Sequence, residues 1–165
     1  MDASVHNGHL GIKMIDRDHK EICELLLEMN YSAPENGDAS RRLRRLKELE
    51  RISRSHFLLE EGMMAATRYP GLALHRLRHE WMMEQIKRLT AYWGREKNAL
   101  TREPMGLLWE SHILHVEGED RAYGDWLNGW GGRGEGRVPE ERILRQSCLE
   151  GQLRRGPDGW RRLWL

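Results

Sequence analysis

Five histidines and two carboxylates recur in this 165-residue chain at spacings suited to gripping metal ions. The stretch HFLLEEGMMAATRYPGLALHRLRHE, running from His56 to Glu80, carries His56, Glu60, His75 and His79. Residues four apart on a helix point the same way, with β-carbons about 5–6 Å apart. His56 with Glu60, and His75 with His79, are therefore pairs that can each hold one ion or share a bridged pair. The helical pattern turns all four toward the apolar, inward side. Burying a lone carboxylate there is costly, and a bound cation reverses that cost. One isolated HxxxH pair is a weak signal, since most inward histidines are core residues with satisfied hydrogen bonds. Here IDRDH adds His19, and HVEGEDRAY adds His115 and Asp120. Imidazole with carboxylate suits iron, zinc or copper. Seven candidates, two of them able to bridge, are too many for one ordinary ion and point to two metals.

The elements that must position these side chains read as helices. No stretch alternates as a strand would, and Val, Ile, Thr, Tyr and Phe are sparse. The first helix is expected over about 16–30, with Ile22, Leu25, Leu26 and Met29 on one face. SAPENGDAS is turn chemistry. The second spans about 40–67, where Leu43, Leu46, Leu49 and Ile52 lead into His56, Glu60 and Met63. RYPG breaks it, and Pro70 suits the start of the third, about 71–94, which carries Leu72, His75, His79, Met82, Ile86 and Leu89. The fourth, about 103–128, carries Leu108, Trp109, His112, Val116 and Tyr123. Each helix thus supplies at least one ligand type. The expected fold is all-α, an up-down-up-down antiparallel four-helix bundle over 1–128 with a short C-terminal extension. Residues 129–165 read as a Gly/Arg-rich linker and a short helical or partly disordered tail, with a helix expected over VPEERILRQSCLEGQLRRG.

Charged residues make up 32% of the chain but nearly cancel, to a formal +1, which argues against nucleic acid as an obligate partner. The tail carries a net +3, so Trp160, Leu163, Trp164 and Leu165 offer a segment that a protein or an anionic membrane surface could take up. No apolar run is long enough for a transmembrane helix, and the start lacks a secretory pattern. Two cysteines, Cys23 and Cys148, form no framework and no CxxC, in keeping with a cytoplasmic setting; Cys23 reads as a packing residue.

GIKMIDRDHKEICELLLEMN, HFLLEEGMM, YPGLALHRLRHEW and HVEGEDRAY, in that order over about 10–127, resemble the bacterial hemerythrins. The resemblance implies a four-helix bundle around a non-haem di-iron centre, two iron ions cycling between Fe2+ and Fe3+ with an oxo or hydroxo bridge, that binds O2 reversibly. It implies that His75, His79 and His115 serve one iron, that His19 and His56 serve the other, and that Glu60 and Asp120 bridge them. The second iron would keep a vacant position for O2. The His-rich donor set, with no inward Glu-x-x-His pair, favours a carrier or sensor over an oxidase.

The fourth helix leaves a choice, because WESHILHVEGEDRAY offers His112 with Glu117 as well as His115 with Asp120. At about 100° per residue, His115 and Asp120 straddle the inner face set by Leu108, Trp109, Val116 and Tyr123, while Glu117 points outward. That geometry favours His115 and Asp120, as does the family's three-residue step from this Asp to Tyr123. Ser111 and His112 then occupy positions that line the O2 pocket in the family, where Trp and an apolar residue are usual. A polar pocket here could donate a hydrogen bond to the bound ligand, or admit water and protons that speed autoxidation; otherwise His112 simply bonds a nearby carbonyl. Asp16, Asp18 and Tyr123 are candidates for orienting the ligands from behind. Glu61 is read as facing solvent or an arginine, the Met63, Met64, Met82 and Met83 side chains as core filler, and His6 and His9 as exposed. RRLRRLKELER reads as a solvated helix face.

The expected function is reversible O2 binding for storage, delivery or sensing, with no catalytic residues assigned. The alternative is a di-iron redox enzyme consuming peroxide or nitric oxide, or an O2- or redox-sensing regulatory module.

Overall fold

The computed structural model describes residues 10–31, 39–95, 103–130, 153–156 and 159–162. Helix α1 spans Lys13–Tyr31, α2 Ala39–Ala66 and α3 Leu72–Arg95. The fourth rod is composite: α4 (Glu103–His115) runs into a π-helical turn, Val116–Asp120, and continues as α5 (Arg121–Trp130). α1 packs on α2 and α4, α2 on α3, and α3 on α4, which closes a four-helix bundle. The four expected rods are all there, within a few residues of their expected ends.

Local chemistry fixes where the rods begin and end. Asp16 Oδ1 accepts from the backbone N–H of Leu10 at 2.8 Å and of Gly11 at 3.2 Å, which ties the entering chain to the first turn of α1. Gly11 has a φ of 72°, a left-handed conformation that costs glycine little. That segment lies flat on α5, where a β-carbon at Gly124 would come within 3.0 Å of Leu10 Cδ2. α2 ends in a Schellman closure, with Tyr69 N–H donating to Met64 O and Arg68 N–H to Ala65 O. Arg68 occupies the left-handed position there, with φ 57°. Pro70 and Gly71 then lead into α3, where His75 N–H donates to Gly71 O at 3.1 Å.

Two apolar clusters fill the bundle. One holds Leu10, Ile12, Ile15, Leu59, Met63, Met64, Tyr123 and Leu127. The other holds Ile22, Leu25, Leu26, Leu46, Leu49, Ile52, Ile86, Trp93, Met105 and Leu108. Met82 is buried and Met83 packs against the second cluster, so the methionines fill core as expected. The polar candidates fall between the clusters on every rod: His19 between Ile15 and Ile22, His56 and Glu60 between Ile52 and Met63. The apolar layers therefore cap a polar layer.

Among the described residues, no helix is long and apolar enough to cross a membrane. Leu153–Gly156 (β1) and Gly159–Arg162 (β2) form a two-stranded antiparallel ribbon, pairing Leu153 with Arg162 and Gly156 with Gly159. β2 lies alongside α2. The helix expected over 138–156 thus has its last four residues in a strand, and the rest of it lies outside the described residues. His6, His9 and Cys148 also lie outside them, as do Leu163, Trp164 and Leu165.

Candidate metal centre

All seven candidate ligands are buried: His56, Glu60 and Asp120 at 0% exposure, and His19, His75, His79 and His115 at 2–4%. They arrive from all four rods and sort into two groups whose donor atoms lie within 4.8 Å of one another. The larger contains Glu60, His75, His79, His115 and Asp120; the smaller contains His19, His56 and Asp120. Asp120 belongs to both. Its Oδ1 is 3.0 Å from His115 Nε2 and 3.5 Å from His75 Nε2, while Oδ2 is 3.1 Å from His19 Nε2. Glu60 Oε2 lies 3.2 Å from His75 Nε2, 3.5 Å from His79 Nε2 and 3.9 Å from His56 Nε2. One carboxylate on α2 and one on the fourth rod thus face both groups.

The π turn is what brings His115 and Asp120 together. In an unbroken α-helix residues five apart diverge, whereas a π turn closes i→i+5 and stacks them one turn apart. Arg121 N–H reaches Val116 O across this turn. Glu117 is exposed, so it takes no place in either group.

The far nitrogens of two histidines decide how they face the centre. His79 Nδ1 is 3.0 Å from Glu61 Oε1, and His115 Nδ1 is 2.9 Å from Glu119 Oε2. An ionised carboxylate only accepts, so each imidazole places a hydrogen on Nδ1 and turns Nε2 inward. Those inward atoms are 2.9 Å apart. Burial lowers the affinity of His79 for a proton, but hydrogen bonds to Glu60 and Glu61 outweigh it and carry the group up to about 9. A cation between these two atoms would compete with a proton for their lone pairs. Phe57 stacks on the His79 ring at 3.9 Å and holds it flat.

The donor set fits a metal. Burial pushes the Glu60 carboxyl up, but His75 and His79 hold it well below the usual carboxylate range. Burial and Glu60 push Asp120 up, and His115 and His19 bring it below that range too. Two anionic carboxylates are therefore enclosed in one dry layer. Among the described residues, neither ring nitrogen of His56 has a hydrogen-bond partner, nor does Glu60 Oε1. Buried polar atoms without partners are rare and costly in folded proteins. Ions seated among them would satisfy these atoms together.

Further residues stand around the ligands. Glu61 meets an arginine as expected, accepting from Arg76 Nε at 3.2 Å, but it is also the carboxylate behind His79. Glu119 plays the same part behind His115 and accepts from Arg78 Nε at 3.1 Å. Sequence reasoning missed Glu119; its four-residue step from His115 was the available signal. Asp16 ties the entry to α1, and Asp18 Oδ1 accepts from Arg17 Nη2 at 2.8 Å. Tyr123 is wholly buried one turn beyond Asp120, with its hydroxyl 3.3 Å from Thr67 Oγ1. His112 is buried at 2% exposure with its ring centroid 6.1 Å from that of His19, and its Nε2 has no hydrogen-bond partner. Burial, then the neighbouring His19, lower it to about 3, so it is neutral. Ser111 is half-buried beside it. Burial and Glu24 push the Cys23 thiol up to about 11, which agrees with a packing role.

Residues 10–127 match the family described as Hemerythrin HHE cation binding domain. A protein named Bacteriohemerythrin from Stenotrophomonas maltophilia (strain R551-3) is 28% identical over 119 residues, which cover 71% of this chain and 75% of that protein. No solved structure matches at a comparable level.

Proposed function

The chain belongs to the hemerythrin HHE cation-binding family, and from that premise we propose that it holds two iron ions and binds O2 reversibly. The observation that carries this reading is the buried pair Glu60 and Asp120, both facing two groups of imidazoles at 3.0–3.9 Å. His75, His79 and His115 are assigned to one iron, His19 and His56 to the other, and Glu60 and Asp120 to both, with an oxo or hydroxo bridge between. When bound, the two irons supply the site for O2 and the electrons that its binding draws on.

The chain's own residues supply the rest. Glu61 and Glu119 hold His79 and His115 in the tautomer that presents Nε2 inward. The two apolar clusters exclude water from the ends of the polar layer. The smaller group, two imidazoles and one carboxylate, matches the donor type that leaves open positions on non-haem Fe(II). Imidazole-rich ligation supports a carrier or sensor of O2 rather than an oxidase, and we propose a cytoplasmic setting for it. Metal analysis with an absorption spectrum before and after exposure to air tests the proposal. Two irons per chain and a reversible oxygen-dependent band are expected; a colourless, iron-free chain after anaerobic reconstitution overturns it.

The hydrogen-bonding capacity of His112 beside the smaller group favours a second reading, consumption of peroxide or nitric oxide at the same centre. Sustained turnover of either, with no stable oxygenated form, would select it. For residues 129–165 we propose docking to a protein or an anionic membrane surface. Deleting them should abolish partner capture and leave the oxygen spectrum unchanged.

A further inference from the structure

The two donor groups are unequal, and an extra imidazole stands beside the poorer one. Five protein donors converge in the larger group and three in the smaller. His112 projects from α4 one turn before His115, and its ring meets that of His19 edge-on at 72° with centroids 6.1 Å apart. It belongs to neither donor group. It is nevertheless buried to 2% exposure, and its Nε2 has no hydrogen-bond partner among the described residues. A Leu or Ile would fill this position, next to Leu108 and the second apolar cluster, without leaving a polar atom unsatisfied. An acceptor bound on the His19 side of the layer, where the His112 ring lies, would satisfy Nε2.

We propose that His112 donates a hydrogen bond through Nε2 to the small non-protein ligand bound on the His19–His56–Asp120 side, which thereby selects ligands ending in a hydrogen-bond acceptor, small anions foremost. The inference rests on the di-iron reading above. His112 acts as a specificity-determining residue, because the donor adds affinity for an acceptor-ended ligand and none for one that offers no lone pair at its outer end. In a water-excluded layer such a bond to a charged partner is worth about tenfold or more in affinity.

The test uses the full chain loaded with ferric iron and azide as the probe anion. Expected are two irons per chain in the wild type, in His112→Leu and in His112→Gln. Azide should bind about tenfold more weakly to His112→Leu, and its stretching frequency should lose the shift seen on transfer to D2O. His112→Gln, which keeps an N–H donor, should recover the isotope shift. Unchanged azide affinity and an unchanged D2O shift in a two-iron His112→Leu protein overturn this inference alone. Loss of one iron from His112→Leu also overturns it, since His112 would then be a ligand. A wild-type chain unable to hold two irons overturns the reading beneath it.

Discussion

The two halves of the polar layer are built to different standards. In the half formed by α3 and the fourth rod, His79 and His115 are each held from behind by a carboxylate, and each carboxylate by an arginine. Arg76–Glu61–His79 and Arg78–Glu119–His115 are two parallel lines from the surface to the centre. In the half formed by α1 and α2, neither ring nitrogen of His56 has a hydrogen bond. His79 and His115 are braced before any ion arrives; His56 is not. The contrast teaches that rigidity is divided unequally among the candidate ligands rather than averaged, which would suit the proposed centre if one ion anchors and the other meets the exogenous ligand.

Removing the metal should give the largest effect, because both halves depend on it. Chelation at neutral pH is expected to lower the melting temperature by about 10 °C, since tight binding adds roughly 4 kcal/mol and each costs a few degrees in a chain of this size. Calorimetry with and without chelator measures it, and coincident melts would show that the layer tolerates its buried carboxylates unaided. Next, Asp120→Asn should reduce bound iron from two to less than one per chain, because Asp120 faces both groups. Loss confined to one iron would show that the halves are independent.

The sharpest contrast comes from metal-free stability. His56→Leu should stabilise the metal-free chain by about 1–2 kcal/mol, as it removes a buried imidazole with no hydrogen bonds. His79→Leu should destabilise it by about 2 kcal/mol, as it takes a donor from Glu60 and Glu61. Urea melts of both variants decide the matter, and equal signs would erase the distinction between braced and open. Smaller still, Glu119→Gln should weaken metal binding about tenfold by disturbing His115. Arg78→Gln, which breaks only an exposed ion pair, should cost under about 1 kcal/mol. If competition titrations give the arginine variant the larger effect, the line runs from the surface inward and not from the carboxylate.

Much of the site was legible in the chain because α-helical periodicity is local. Leu46, Leu49 and Ile52 leading into His56 and Glu60 fix which face of α2 turns inward, and Leu72, His75, His79 and Met82 do the same for α3. The seven candidate ligands follow from that rule plus the cost of burying charge. The choice of His115 and Asp120 on the fourth rod followed as well, but their close approach did not. Equal steps of about 100° leave His115 and Asp120 apart, and it is the π turn at Val116–Asp120 that stacks them. The tail shows the same limit, since Leu153–Gly156 reads as the end of a helix and pairs instead with Gly159–Arg162.

What the amino-acid order determined by itself was which side chains face inward and what chemistry they can do, because both depend on residue type and on a repeat a few residues long. What only the tertiary structure decided was the partition into five and three donors, the carboxylates behind His79 and His115, and the isolation of His112. Those depend on distances between rods, such as the 18 residues that separate Glu61 from His79, and no period within one helix encodes a distance to another.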